Sequence, residues 1–306
     1  MIPRLAMTLD EVLGFIRREF GNSSIGHLGD SFRKSPKVIP TGCRPLDKAL
    51  GSGGLPRGRI VEFFGHESSG KTTLALGVIA SAQQLGAAGR AGTTGRAGAS
   101  VYIDVEHALD PAYAKRIGVD LDDLIVAQPT SAEEALTICE RMAKSGAVDV
   151  IVVDSVAALT PQAEIDGFDP ASGLQARILS QALRRIASAL AKSNTLCIFL
   201  NQVRDRIGAL AGNPEMTPGG KALKLRAACR LQVQRIGMIS APSGVIIGNR
   251  TRVRVVKNTS AGRAGAAGRA GTSGRAEPQP ALADAEFDLL YSCGIPRETT
   301  HHENSD

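Results

Sequence analysis

The run Gly65-His66-Glu67-Ser68-Ser69-Gly70-Lys71-Thr72, followed by Thr73, has the spacing G-x-x-x-x-G-K-[ST]. In that pattern the glycines let backbone N–H groups and a helix N-terminus surround phosphate oxygens, the lysine brings a point charge to them, and the hydroxyl is offered to Mg²⁺. Such chemistry needs a carboxylate on the metal side. Val150-Ile151-Val152-Val153-Asp154 supplies one at the end of an apolar run, where ligands meet the C-terminal ends of buried parallel strands. Hydrolysis also needs a base that orients water. Val101-Tyr102-Ile103-Asp104-Val105-Glu106 ends a second apolar run in acids; Glu106 is the candidate and Asp104 the competitor.

These residues have to sit at the ends of neighbouring strands, and the pattern around them provides for that. Arg59–Phe64, Ser100–Val105, Val148–Val153 and Thr195–Leu200 read as strands, separated by helical stretches at 71–85, 132–145 and 174–192. The alternation predicts an α/β fold with a mostly parallel central sheet flanked by helices. After Arg230 the helices stop: Leu231–Ile236, Arg252–Val256 and Glu286–Leu290 read as strands, so antiparallel strands are expected at one edge. Near the N-terminus Thr8 and Glu11 form a capping box ahead of Leu9, Val12, Leu13, Ile16 and Phe20 at helical spacing. A Gly/Ser/Pro-rich stretch from Gly21 to Pro40 detaches this helix, whose apolar face needs a partner at home or on another subunit. The expected division is 1–36 for the helix and linker, 37–296 for the ATPase core with low-complexity insertions at 86–100 and 261–277, and 297–306 for a disordered tail.

The 36 basic and 30 acidic residues give a net charge of +6, which invites a nucleic-acid reading on charge alone. Two glycine-triplet tracts, 89–100 and 262–276, dispose of it: their five arginines and absence of acids account for all but one of those charges. Any DNA site must be argued from placement. Cys43, Cys139, Cys197, Cys229 and Cys293 are scattered without metal spacing and read as reduced thiols in a cytosol-like compartment. No run approaches the roughly 18 to 20 apolar residues of a membrane helix, and the N-terminus lacks a secretory signal. Bacterial cytoplasm is the simplest compartment; a mature plastid or mitochondrial-matrix protein would read the same way.

Together the motifs resemble the bacterial-type RecA recombinase family. The matching stretches are Leu46–Ile60, Gly65–Thr73, Asp104–Pro111, Ser145–Pro161, Phe199–Arg204, Gly212–Glu215 and Val255–Asn258, within a likeness running from about residue 8 to 295. The resemblance implies a RecA-like P-loop core with ATP and Mg²⁺ as cofactors. It implies a DNA-dependent ATPase that forms helical filaments on single-stranded DNA, pairs it with homologous duplex DNA and exchanges strands during repair.

Carried over position by position, it implies that Gly65, His66, Glu67, Ser68, Ser69, Gly70, Lys71, Thr72 and Thr73 surround the phosphates, with Thr72 and Asp154 on the metal. Glu106 matches the catalytic glutamate, Asp110 and Tyr113 the adenine contacts, and Gln202 a glutamine that senses the γ-phosphate. Lys224 and Lys257 match residues that reach the ATP of the adjacent subunit. Two DNA-binding loops correspond to about 164–173 and 203–221; Arg177, Arg184, Arg204 and Arg206 are placed to reach phosphates, and Ile207 matches an apolar wedge between bases. The N-terminal helix is expected to pack head-to-tail on the next protomer.

Departures touch the coupling of ATP to DNA. Thr259 stands where the family has a second lysine, Leu225 where it has an interface aromatic, and the first loop, Phe168–Gly173, is short and lacks a methionine. The family's small C-terminal domain and acidic tail have no counterpart between Ile295 and Asp306. These departures set an alternative beside the recombinase: an ATP-binding single-strand filament component or regulatory paralogue without strand exchange. A hexameric motor of the same superfamily is set aside by the N-terminal helix and by Phe199–Arg204.

Overall fold

The computed structural model describes residues 8–21, 24–25, 37–89, 98–168, 173–205, 215–216, 218–259 and 283–296. The chain divides into two units, 1–36 and 37–306. The first carries α1 (Leu9–Phe20), whose capping box is reciprocal: Glu11 N donates to Thr8 Oγ1 at 3.3 Å and Thr8 N to Glu11 Oε2 at 2.7 Å. Asp10 and Glu11 in the first turn and Arg17 and Arg18 in the last oppose the helix dipole. Leu9, Val12, Phe15 and Phe20 are exposed.

The second unit runs β1 (Val38–Ile39), α2 (Arg44–Leu50), β2 (Leu55–Pro56), β3 (Ile60–Gly65), α3 (Lys71–Gly89), β4 (Ser100–Asp104), α4 (Pro111–Ile117), β5 (Leu124–Ala127) and α5 (Ala132–Ser145). It continues with β6 (Val150–Asp154), α6 (Gln162–Ile165), α7 (Leu174–Ser193), β7 (Leu196–Gln202), β8 (Arg204–Asp205), β9 (Glu215–Met216), α8 (Gly220–Arg226), β10 (Cys229–Ser240), β11 (Ile246–Asn258) and β12 (Asp284–Leu290). Among the described residues an eight-stranded sheet has the order β12-β11-β10-β3-β7-β6-β4-β5. Pairing is parallel from β10 to β5 and antiparallel where β11 and β12 extend the edge. That is the expected mostly parallel sheet with an antiparallel edge.

The strands are apolar on both sides because both sides are covered. Val150 and Val152 of β6, with Leu196, Ile198 and Leu200 of β7, pack in one core with Leu74, Leu76, Val78 and Ile79 of α3. Ile151, Val153, Cys197 and Phe199 face the other core, with Leu136 and Cys139 of α5 and Leu179, Leu183 and Ile186 of α7.

Two differences from the sequence reading have a physical cause. The edge strand β5 and the seven-residue α4 are too short to leave a periodic signal. The strands β10 and β11 outrun their apolar cores: pairing continues from Gly237↔Arg250 to Ser240↔Ile246, and Met238, Ile246 and Ile247 of this extension are exposed, as are Ile236 before it and Val245 in the turn. The helix α3 runs to Gly89; most of the first glycine tract, all of the second and the 297–306 tail lie outside the described residues.

Candidate active site

The loop between β3 and α3 is shaped by glycines with no room for a side chain. A Cβ on Gly65 would lie 2.0 Å from the carbonyl oxygen of Val233, and one on Gly70, at φ +100°, would lie 2.2 Å from Cδ1 of Leu289. The Lys71 ammonium donates to the carbonyls of Gly65 at 3.1 Å and His66 at 2.7 Å, so the side chain curls over its own loop. Burial lowers its pKa, against the opposing charges of Asp154, Glu106 and Glu67. Among the described residues Ser69 Oγ has no hydrogen-bond partner, although it is buried.

Thr72 opens α3 beside the end of β6, and its Oγ1 donates to Asp154 Oδ2 at 3.0 Å. Burial raises the Asp154 pKa, while hydrogen bonds from Tyr102 and Thr72 pull it down. Register pairs Asp104 with Asp154, so β4 and β6 end level. Just beyond, Val105 N and Glu106 N donate to the Asp154 carbonyl at 2.7 and 3.3 Å.

The two acids after β4 do different work. Asp104 is buried and accepts from Ala108 N at 3.1 Å, Leu109 N at 3.2 Å and Gln128 Nε2 at 3.3 Å, which closes the following loop. Glu106 is exposed; its Oε1 accepts from Ser155 Oγ and from Gln202 Nε2, the latter at 3.2 Å. Among the described residues no protein donor reaches its Oε2.

A cleft of about 350 Å³ opens against this edge, lined by residues 68–73, Tyr113, and Arg235, Asn249, Leu289 and Tyr291 of the antiparallel edge. The Tyr113 hydroxyl shares a 2.8 Å hydrogen bond with Thr73 Oγ1. Asp110 caps α4, accepting from Ala112 N at 2.8 Å and Tyr113 N at 3.1 Å, and so holds Tyr113 in place. Arg235, Asn249, Leu289 and Tyr291 escaped sequence reasoning because they lie on or just beyond strands far along the chain. Tyr291, directly after the last predicted strand, was the one available signal; its hydroxyl donates to Asn249 Oδ1 at 3.2 Å.

These residues fit a nucleotide and a hard divalent cation. The glycine cradle and the unpartnered Ser69 hydroxyl suit phosphate oxygens. Thr72 and Asp154 offer oxygen donors of the kind Mg²⁺ accepts. Among the described residues no cluster of three or more His, Cys, Asp or Glu could hold a metal ion.

Beyond the cleft, Glu62 of β3 is fully buried and takes hydrogen bonds from Arg230 Nε and, at 3.0 Å, from Asn201 Nδ2. The same amide donates to the Pro218 carbonyl at 3.1 Å, and the Arg230 guanidinium lies 4.5 Å from the Phe64 ring centroid. The carboxylate thus joins β3, which enters the phosphate loop, to β10 through Arg230 and to β7 through Asn201, and the Asn201 amide ties on the chain leading into α8. Lys257 Nζ donates to the carbonyls of Lys224 and Leu225, each at 3.0 Å, at the end of α8. Burial and the Arg230 charge lower its pKa, with Glu62 opposing. Lys224 is half-buried and Leu225 is 76% exposed. Thr259 is exposed, and its hydroxyl donates to the Ala228 carbonyl at 3.1 Å.

Arg177 and Arg184 are exposed on α7, two turns apart and so on one face. Arg204 lies on β8, which pairs with β9; Arg206 and Ile207 lie outside the described residues, as do 169–172 of the first loop. Phe168, at the edge of that loop, is 68% exposed.

The sequence model of the RecA N-terminal domain family matches residues 7–267. The chain belongs to the RecA family. Proteins named RecA are similar along most of its length: that of Caldanaerobacter subterraneus subsp. tengcongensis is 49% identical over 292 residues, 95% of this chain and 77% of the relative. The RecA of Bifidobacterium longum is 50% identical over 298 residues, 97% of this chain and 68% of the relative, and that of Symbiobacterium thermophilum 48% over 299 residues, 97% and 77%. The family's activity is therefore that of this chain: it is a DNA-dependent ATPase, a recombinase of DNA repair, and a paralogue without strand exchange is not favoured. Among the described residues no helix is long and apolar enough to cross a membrane.

Proposed function

We propose that ATP binds with its phosphates in the loop from Gly65 to Thr73 and its base in the cleft beside Tyr113, and that Mg²⁺ sits against Thr72 and Asp154. When bound, the cation neutralises charge developing on the transferred phosphoryl group. Glu106 orients the attacking water through its free Oε2, Lys71 holds the phosphates, and Gln202 reports on the terminal one. The observation that carries this reading is the convergence of Thr72, Asp154, Glu106 and Gln202 at the C-terminal ends of adjacent strands, where α/β sheets place their ligands.

The chain assembles in this reading as a helical filament of identical subunits on single-stranded DNA, which it pairs with homologous duplex. α1 packs on the next protomer, its exposed Leu9, Phe15 and Phe20 being the apolar surface such a contact needs. Lys224 and Lys257 act on the neighbouring ATP. Arg177, Arg184, Arg204 and Arg206 bind phosphates, with Ile207 between bases. The 37–296 core, with its two insertions, does this work in bacterial cytoplasm, in keeping with the bacterial relatives; nothing in the comparison supports a plastid or mitochondrial matrix.

The test is ATP turnover with and without single-stranded DNA over a range of protein and salt concentrations. Turnover that rises cooperatively with protein and falls with salt supports a DNA-gated filament. ATP binding with DNA-independent turnover overturns it.

A further inference from the structure

The strand β4 carries one polar group in its middle that no catalytic role has absorbed, the hydroxyl of Tyr102. We propose that Tyr102 is a positioning residue for the metal-side carboxylate, turning Asp154 so that one oxygen is reserved for the cation. The inference rests on the reading that Asp154 and Thr72 hold the metal.

The geometry begins in the register. Tyr102 of β4 pairs with Val152 of β6, and Asp154 lies two residues further along the same face, a diagonal that an aromatic side chain can span. Tyr102 is 1% exposed, and its hydroxyl donates to Asp154 Oδ2. The Thr72 hydroxyl donates to that same Oδ2, at 3.0 Å. With two donors on Oδ2, the carboxylate cannot turn without breaking both bonds. Among the described residues no protein donor reaches Oδ1, which is the oxygen left for a cation or its bound water.

Packing alone does not call for the hydroxyl. Tyr102 lies in the apolar core on the α3 side of the sheet, with Val150 and Val152 of β6 fully buried on the same face, so phenylalanine would fill the same volume. Groups that hold a metal-binding carboxylate from behind fix its orientation, and losing one typically weakens metal binding or activity about 10- to 100-fold.

The test uses the full chain, a non-hydrolysable ATP analogue and Mn²⁺ titrated with detection of the free ion by electron paramagnetic resonance. Wild type, Tyr102→Phe and Asp154→Asn are compared. Tyr102→Phe is expected to weaken Mn²⁺ binding by roughly 10-fold or more, to leave metal-free analogue binding unchanged, and to regain wild-type turnover when Mg²⁺ is raised. Rescue by added cation is a response that a general packing defect would not give. An unchanged Mn²⁺ constant in Tyr102→Phe beside a weakened one in Asp154→Asn overturns the role of Tyr102 and leaves the metal site standing. An unchanged constant in Asp154→Asn overturns the metal-site reading, and the inference with it.

Discussion

Gln202 Nε2 donates to Glu106 Oε1 at 3.2 Å, on the oxygen that also accepts from Ser155 Oγ. The candidate base and the candidate phosphate sensor are thus bonded to each other across the strand between them. In the reading proposed above, a phosphate oxygen within reach of that amide would draw on the same NH₂ group that now bonds Glu106, so a change at the nucleotide would be passed to the chain after Gln202.

Replacing Glu106 with Gln keeps the size of the side chain and removes the basic carboxylate. Turnover is expected to fall about 10²- to 10⁴-fold, the usual worth of a positioned base, while fluorescent ATP-analogue affinity stays within a few-fold of wild type. Turnover near the wild-type rate would move the role elsewhere.

Gly70→Ala places a methyl group 2.2 Å from Leu289 Cδ1 at a φ of +100°. Strain of this kind is worth about 1–3 kcal/mol. A lower urea midpoint and the loss of measurable nucleotide binding are expected together. Leu289→Ala relieves the clash but not the dihedral strain, so the double variant should recover only part of the stability.

The carboxylate of Glu62 is fully buried and the Arg230 side chain that meets it is 12% exposed. Glu62→Ala leaves that guanidinium without its anion and should destabilise the chain by roughly 3–5 kcal/mol. Urea denaturation of Glu62→Ala against Arg230→Met and the double variant measures the pair; a double variant no more stable than the sum of the singles would show that the two are not coupled.

Burial pushes the Cys229 thiol up from its ordinary 9.0 to about 12, and the Cys197 thiol also rises, from burial and then from Cys139 beside it. Folding therefore keeps a proton at Cys229 that the unfolded chain releases. Its contribution to stability is complete below pH 9.0 and is lost as pH rises toward about 12, at about 1.4 kcal/mol per pH unit for a whole proton. The urea midpoint is expected to fall across that range, less steeply in Cys229→Ala. At pH 8 a thiol-reactive chromogenic disulfide should label Cys293, the exposed cysteine, and reach the other four only after unfolding.

The phosphate loop, the order of sheet and helices, and the acids at the strand ends were legible because each has a local signature: a fixed spacing, a period, or a charge after an apolar run. What was not legible is what the fold assembles from a distance. Arg235, Asn249 and Leu289 reach the cleft only through pairings of β10, β11 and β12. Glu62 and Tyr102 were hidden for a different reason: each sits inside an apolar run, and a strand pattern does not say that a polar atom there meets Arg230 or Asp154. Glu106 was preferred to Asp104 from the sequence, but that Asp104 spends its carboxylate on Ala108, Leu109 and Gln128 is something no spacing encodes.

Those bonds to Asp104 have one more consequence. They lash the loop after β4 into a closed hoop, and loosening it would strip a buried carboxylate of its donors. Glu106 is carried on that hoop. If Glu106 is the base proposed above, the timing of hydrolysis would be set by what is brought to it, the partner amide on one side and the water and phosphate on the other.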